Sequence, residues 1–186
     1  MEQEVTLRRG GAEKRFTLRR LQPADLGDIL ALQREIVARV ARPPVFEPSS
    51  ADDFLESMRL DILRGLFDGR RLAALNLLVA NRDTPRNLCR LCGGDYRACF
   101  TFDTVQVHPD YHGWGMQRFF LHAAAELAGA GRAVLATVSP DNPPSLRAFR
   151  ACGFEPVCRL PLYGGERFLM RKTIASCAAA EDGGGK

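Results

Sequence analysis

The stretch of sequence that decides the fold is Asp103-Thr104-Val105-Gln106-Val107-His108-Pro109-Asp110-Tyr111-His112-Gly113-Trp114-Gly115-Met116-Gln117. A strand predicted over residues 99–107 ends at a proline, and two glycines then precede a helix predicted over residues 115–130. Glycine allows left-handed backbone angles and lets a ligand approach the amides closely. A helix start offers unpaired N–H groups and about half a positive charge. The loop therefore suits an anion such as a pyrophosphate, although the same pattern also forms plain turns.

Strands and helices alternate on both sides of this stretch. Alternation and short apolar runs predict the other strands, at residues 16–21, 71–80, 133–138, 154–162 and 167–172. Helical spacing predicts the other helices, from Leu26 to Pro43-Pro44, after Ser50, and at residues 145–151. The apolar face of the helix after Ser50 is formed by Phe54, Leu55, Met58, Ile62, Leu63 and Leu66. The order indicates a mixed α/β fold with at least one right-handed parallel crossover.

The chain of 186 residues suits one domain with a proper core. We expect an N-terminal extension at residues 1–14, a single domain at 15–174 and a disordered Ala/Gly-rich tail at 175–186. Residues 84–96 are polar and read as an inserted loop. No apolar run approaches the roughly 18 residues of a membrane span, and the acidic N-terminus lacks the apolar stretch of a secretory signal. We therefore expect a cytoplasmic protein that contacts no membrane.

The net charge is +4, and much of the basic excess lies near the N-terminus, in Arg8, Arg9, Lys14, Arg15, Arg19 and Arg20. Such a segment attracts nucleic acid. Phe16 is the single aromatic residue between these basic residues, so a solvated segment is favoured. Six cysteines without an export signal favour free thiols over a disulfide framework. Cys89 and Cys92 have the spacing of half a zinc site, with Cys99 near. No fourth ligand follows, so no metal is expected.

Motifs after the glycine loop make the pattern specific. Asn142 is followed seven residues later by Phe149 and then by Gly153-Phe154. With the Val-x-Val-x-Pro-x-Tyr strand end at Val105, this order resembles the GNAT superfamily of acyl-CoA-dependent N-acetyltransferases, in a bacterial-type branch. The resemblance covers roughly residues 15–173. It implies a mixed, mostly antiparallel central sheet with a splayed parallel pair and helices on both faces.

The resemblance also implies acetyl-CoA as co-substrate, direct attack in a ternary complex, and a primary amine as acceptor: a small amine, an amino acid or a peptide N-terminus. It carries the cofactor contacts onto Val105, Gln106, Val107, His112, Gly113, Trp114, Gly115, Met116, Gln117, Asn142 and Phe149. His112 replaces the usual Arg or Gln, and Gln117 stands where Gly or Ala is common. Trp114 either stacks on the cofactor or anchors on a neighbouring helix. A homodimer is left open.

Three residues are candidates for proton transfer. Strand alternation places Asp103 on the same face as Val105 and Val107, so it is the first candidate base. A carboxylate that caps a backbone or pairs with an arginine is the alternative. Relatives in the family protonate the leaving thiolate with a tyrosine where this chain has Phe149. Three explanations are open. Ser145 or Tyr163 takes the place of that tyrosine, the thiolate leaves unaided, or the protein is catalytically weak.

Two further functions follow from these features. The phenylalanine at the acid position favours a non-catalytic acyl-CoA-binding or regulatory module as the alternative to an enzyme. The arginine-rich start motivates a nucleic-acid-associated protein as a third hypothesis.

Overall fold

The computed structural model describes residues 2–39, 46–80 and 82–176. The predicted helix stop at Pro43-Pro44 and residues 177–186 of the predicted tail lie outside the described residues. The described residues form four α-helices: α1 (Leu26–Arg39), α2 (Ala51–Leu60), α3 (Met116–Ala128) and α4 (Pro143–Ala151). Eight strands are β1 (Gln3–Arg9), β2 (Ala12–Arg20), β3 (Ile62–Asp68), β4 (Arg71–Val79), β5 (Cys99–Val107), β6 (Ala133–Val138), β7 (Glu155–Leu162) and β8 (Gly165–Thr173).

The eight strands form one sheet in the order β1-β2-β3-β4-β5-β6-β8-β7. Every neighbouring pair is antiparallel except β5 and β6, which are parallel and joined through α3. Their pairing extends only from Cys99 opposite Ala133 to Phe102 opposite Ala136. Beyond this point β5 continues along β4 and β6 continues along β8. The two strands therefore splay apart, which confirms the predicted fold class.

Two apolar clusters lie against the sheet. In one, Phe120 and Leu121 of α3 and Phe149 of α4 pack on β5 and β6. In the other, Ile29 of α1 and Phe54 of α2 pack on β3 and β4. β4 is buried along almost its whole length and contributes to both clusters. Burial of apolar side chains on both faces of the sheet is the main favourable contribution to the free energy of folding, and it keeps the splayed strands in place.

The prediction that Ile62, Leu63 and Leu66 continue the second helix is wrong. α2 ends at Leu60, and these residues belong to β3, which pairs with β2 and β4. A strand buried on both faces is a continuous apolar run, and its leucine spacing imitates a helix. Gly65 carries the missed signal: a Cβ there would lie 2.7 Å from Leu72 Cδ1, so tight strand packing requires glycine.

Residues 3–9, assigned to an N-terminal extension, form β1. This strand pairs along its whole length with β2, which begins at Ala12 rather than at residue 16. The connection is Gly10-Gly11, where both residues have positive φ angles (55° and 84°). Two consecutive positive φ angles are typical of the tight turns that match strand twist. The basic segment is therefore a β-hairpin.

The prediction of free thiols is wrong for two cysteines, because Cys89 and Cys99 form a disulfide with their Cα atoms 6.1 Å apart. The disulfide closes the inserted loop, whose buried Leu88 packs in a small cluster with Leu135 and Leu169. Cys92, which would complete half a zinc site, is free and exposed. In residues 2–39, 46–80 and 82–176, no group of three or more metal-ligating side chains comes together.

None of the helices in the described part of the chain is long and apolar enough to cross a membrane.

Candidate active-site cleft

A cleft of about 1050 Å³ opens where β5 and β6 separate. One wall is the C-terminal half of β5, from Asp103 to Val107, and the opposite wall is Thr137 and Val138 of β6. The turn before α3 and the start of α4 form one end, and Phe46–Ser49 with Asp53 of α2 form the other. A cleft between diverging parallel strands exposes backbone groups that a fully paired sheet would have satisfied.

The turn that follows β5 is held rigidly from the side of β3 and β4. The Tyr111 hydroxyl donates to Asp68 Oδ2 (2.7 Å), and Arg71 Nη2 donates to Asp110 Oδ2 (2.8 Å). The Asp110 amide donates to Nδ1 of the buried His108 (3.1 Å). Burial and the nearby Arg71 lower the pKa of His108, so this imidazole is neutral at pH 7. The turn therefore enters α3 from a fixed position.

The glycines of the turn adopt the backbone conformations that the sequence required of them. Gly113 has φ 86°, and Gly115, the N-cap of α3, has φ 75°. Among the residues that the structure describes, no acceptor engages the amides of Gly113, Gly115, Met116, Gln117 or Arg118. Consecutive free amides at a helix N-terminus form an anion site. A diphosphate suits this cradle, because the donors are present and the Arg118 guanidinium lies 3.6 Å from the position that a Cβ on Gly115 would take.

Residues 15–155 match the family model of the acetyltransferase (GNAT) domain. The chain belongs to the GNAT acetyltransferase family. The superfamily resemblance inferred from the motifs is thereby confirmed.

Solved acetyltransferase structures resemble most of the chain. Salmonella typhimurium yncA with its cofactor acetyl-CoA has a TM-score of 0.65 at 18% identity, covering 90% of this chain and 98% of that one. A phosphinothricin acetyltransferase from Sinorhizobium meliloti in complex with AcCoA has a TM-score of 0.64 at 22% identity, covering 86% of this chain and 89% of that one. The ribosomal-protein-S18-alanine N-acetyltransferase of Escherichia coli has a TM-score of 0.62 at 14% identity, covering 89% of this chain and 97% of that one. At these identities the likeness establishes the fold.

A curated relative matches a smaller part of the chain. An uncharacterised protein of Mycobacterium leprae is 34% identical over 73 residues, which are 37% of this chain and 20% of that protein. The matched part of this GNAT chain therefore spans about a fifth of the length of the curated relative.

All the site residues predicted from the sequence line the cleft except Trp114. Trp114 instead packs edge-on against Phe16 of β2, with ring centroids 6.1 Å apart, and the Arg9 guanidinium lies 5.7 Å from its ring. Of the two interpretations of Trp114, the structure matches the anchor, with the N-terminal hairpin rather than a helix as its neighbour.

Five of the predicted residues use their side chains for the GNAT fold itself. Gln106 donates to Gln33 of α1 (3.2 Å), so only its backbone faces the cleft. Asn142 accepts from the Ser145 amide and caps α4 (3.1 Å). Ser145 Oγ in turn accepts from Gln117 Nε2 (2.8 Å), which ties α4 to α3. Phe149 is 3% exposed and packs edge-on against two other phenylalanines.

Asp103 lies on the β5 wall of the cleft, where burial raises its pKa to about 6 and Arg86 partly opposes that shift. In the described part of the chain, no side chain or amide donates a hydrogen bond to it and no ion pair includes it. The alternative in which this carboxylate caps a backbone or pairs with an arginine therefore has no support among these residues. A carboxylate poised near neutral pH suits proton transfer.

Tyr163 lies at the other side of the cleft, in the turn between β7 and β8, and is 47% exposed. Its ring lies 5.5 Å from the Arg167 guanidinium. Burial raises the pKa of its phenol, and the nearby Asp103 charge adds to the rise. Tyr163 therefore keeps its proton throughout the neutral range.

Sequence reasoning missed Arg86 and Asp53 as cleft residues. Arg86 Nη2 donates to Asp53 Oδ1 (2.6 Å), and Nη1 donates to Ser57 Oγ (2.9 Å). Asp53 also forms a capping box with Ser50 at the start of α2. Arg86 comes from the inserted loop 33 residues later in the chain, and no local pattern marks such a pairing.

Proposed function

We propose that the protein transfers an acetyl group from acetyl-CoA to a primary amine on a small amine, an amino acid or a peptide N-terminus, by direct attack in a ternary complex. The observation that carries the proposal is one cleft with two features. Helix-start amides with no acceptor among the described residues lie at one end of it, and a buried carboxylate with a pKa of about 6 lies on its wall. Both features are those that an anionic acyl donor and a protonated amine require.

The donor half of the cleft consists of backbone. The amide of Gly113 and the amides from Gly115 to Arg118 hold the diphosphate in this proposal. The His108 amide donates to Ala73 O on β4 (2.9 Å), so by strand alternation the amides of Val107 and Val105 point to the opposite side, into the cleft. The Val107 amide then polarises the thioester carbonyl. One such donor typically contributes about 2.7–4 kcal/mol at the transition state.

Asp103 serves the acceptor. An amine with a pKa near 10.4 is only about 0.04% neutral at pH 7, and only the neutral form attacks a thioester. Because its own pKa is about 6, Asp103 is mostly ionised at pH 7 and accepts the proton directly or through a water. Removing a general base is expected to lower the rate by about 10²–10⁴-fold.

Tyr163 is the candidate acid for the leaving thiolate. Its phenol is protonated at neutral pH and lines the cleft, and a phenol is a stronger acid than the hydroxyl of Ser145. Unaided departure is the competing possibility, because a thiol with a pKa near 8.5 is a tolerable leaving group. Tyr163→Phe separates the two: kcat falls at least tenfold if the phenol donates, and is unchanged if the thiolate leaves alone.

The proposal is tested by binding and turnover together. Calorimetry and thermal denaturation with acetyl-CoA and with CoA are expected to show saturable binding; ligand at 100 times its Kd adds about 2.7 kcal/mol of stability. A thiol-release assay across primary amines, amino acids and peptides then identifies the acceptor. Absence of any melting shift at millimolar CoA would refute the proposal.

A non-catalytic acyl-CoA-binding module is the second candidate, favoured by Phe149, which buries an apolar ring where the family resemblance implies a tyrosine. It predicts tight CoA binding with no thiol release from any amine, and no effect of Asp103→Asn on binding.

A further inference from the structure

Arg9, at the end of β1, makes three contacts with the glycine turn before α3. Its Nη1 donates to the carbonyl oxygen of His112 (3.1 Å), although 103 residues separate the two in the chain. Its guanidinium lies 5.7 Å from the Trp114 ring. A Cβ added to Gly113 would lie 3.3 Å from Arg9 Cδ, so the arginine stem covers that glycine.

The hairpin that carries Arg9 is itself fixed against the same turn. Phe16 of β2 packs edge-on against Tyr111 (5.9 Å) and Trp114 (6.1 Å). Lys14 of β2 donates to Asp68, the carboxylate that also accepts from the Tyr111 hydroxyl. Arg9 therefore reaches the turn from a rigid base rather than from a mobile chain end.

The contact with His112 has a direct consequence for the cleft. In a trans peptide the C=O and the following N–H point in opposite directions. When Arg9 holds the His112 carbonyl on the hairpin side, the Gly113 amide is turned to the other side. Gly113 lines the cleft, and within residues 2–39, 46–80 and 82–176 its amide has no acceptor.

We propose that Arg9 is a positioning residue for donor binding: it fixes the His112–Gly113 peptide so that the Gly113 amide faces the diphosphate. This inference rests on the proposed function. It concerns a strand that precedes residue 15, where the match to the family model begins. The guanidinium is suited to this role because it donates to a carbonyl and lies against an aromatic ring with one rigid group.

The test compares two acetyl donors. Acetyl-CoA carries the diphosphate, whereas S-acetylpantetheine lacks it. In Arg9→Gln, Kd for CoA by calorimetry and KM for acetyl-CoA are expected to rise about fivefold to tenfold, from the loss of a charge-assisted hydrogen bond and a cation–π contact. The kcat with acetyl-CoA and the kcat/KM with S-acetylpantetheine stay at wild-type values. Arg9→Lys keeps the charge without the planar group and is expected to be intermediate.

Arg8→Gln is the matched control. Arg8 is the adjacent residue, carries the same charge, and pairs with the exposed Glu13 instead of the turn. It is expected to bind CoA as the wild type does. Trp114 is the chain's sole tryptophan, so its fluorescence reports on the turn. Its emission in the absence of ligand is expected to change in Arg9→Gln and not in Arg8→Gln.

Three outcomes of these experiments would contradict the proposal. Equal CoA affinity in Arg9→Gln and wild type would overturn the positioning role. Equal losses with both donors would also overturn it, since a general loss of structure affects them alike. Failure of the wild type itself to bind CoA would refute the proposed function, and this inference with it, and is recognised by the absence of any wild-type signal.

Discussion

Replacing Asp103 by asparagine separates the cost of burying a carboxylate from its use as a base. Its pKa is about 6 in the fold and 3.8 in an unperturbed aspartate. A shift of about two units at 1.36 kcal/mol each gives about 3 kcal/mol. Because the carboxylate opens into the cleft and keeps some water, we expect about 1–3 kcal/mol. Removing the charge should therefore stabilise the protein at high pH.

The sign follows from the direction of the shift. A carboxyl with a raised folded pKa binds a proton more tightly in the fold, so the wild type loses stability as the pH rises from about 4 to about 6. Urea unfolding at pH 4, 5, 6 and 8 should show no difference between Asp103→Asn and wild type at pH 4. At pH 8 the variant should be more stable by the full amount.

Asp53→Asn is the control with the opposite sign. Hydrogen bonds from Ser50 and the charge of Arg86 lower the pKa of Asp53. Its contribution is present above the unfolded pKa and is lost as the pH falls through the folded pKa, so this variant should be less stable at pH 8. If both variants shift stability in the same direction at pH 8, the electrostatic account of the cleft is wrong.

Kinetics test the same residue as a base. The ratio of wild-type to Asp103→Asn kcat/KM cancels the ionisation of the acceptor itself. It should be level at about 10²–10⁴ above pH 7 and should have fallen about tenfold from that plateau by pH 5, because Asp103 is mostly protonated below its pKa of about 6. A variant that gains stability but keeps full activity at pH 8 would refute Asp103 as the base while leaving the burial argument intact.

Three further changes test the frame of the cleft. Gly115→Ala places a side chain at φ 75°, which should cost about 1 kcal/mol of stability and raise Kd for CoA, measured by urea unfolding and calorimetry. Asn142→Ala removes the cap of α4 and should cost about 1 kcal/mol in urea unfolding without changing Kd for CoA. Cys89→Ser opens the disulfide to Cys99 and should cost about 2–3 kcal/mol, matched in the wild type by a reductant.

The donor half of the cleft could be predicted because local sequence encodes it. A strand, a proline, two glycines and a helix start lie within the fifteen residues quoted first. Each acts on its own backbone: the glycines take φ 86° and 75°, and the helix leaves its first amides free. Binding by backbone needs no particular side chain, so the pattern survives the unusual His112 and Gln117.

What the sequence did not reveal depends on contacts between distant segments. Leu63 and Leu66 fit a helix as well as a strand until β2 and β4 pair with them. Cys89 and Cys99 are predicted to be free thiols, since the sequence does not show that the loop folds back to join them. Arg9 looks like one more charge in a basic segment, because its turn partner lies 103 residues away. Tertiary context overrides local pattern in each of these cases.

Tyr163, the candidate acid for the leaving thiolate, lies in the cleft with an unusual backbone conformation. Within the described ranges it alone, among residues other than glycine, has a positive φ angle, 54°, and it precedes Gly164 at 71° in the β7–β8 turn. Left-handed backbone costs an aromatic residue about 1–2 kcal/mol, and asparagine or glycine would relieve it. Here the ring lines the cleft beside Arg167, within electrostatic reach of Asp103. The turn accounts for the left-handed angle, and the place of the ring in the cleft is what makes Tyr163→Phe worth testing.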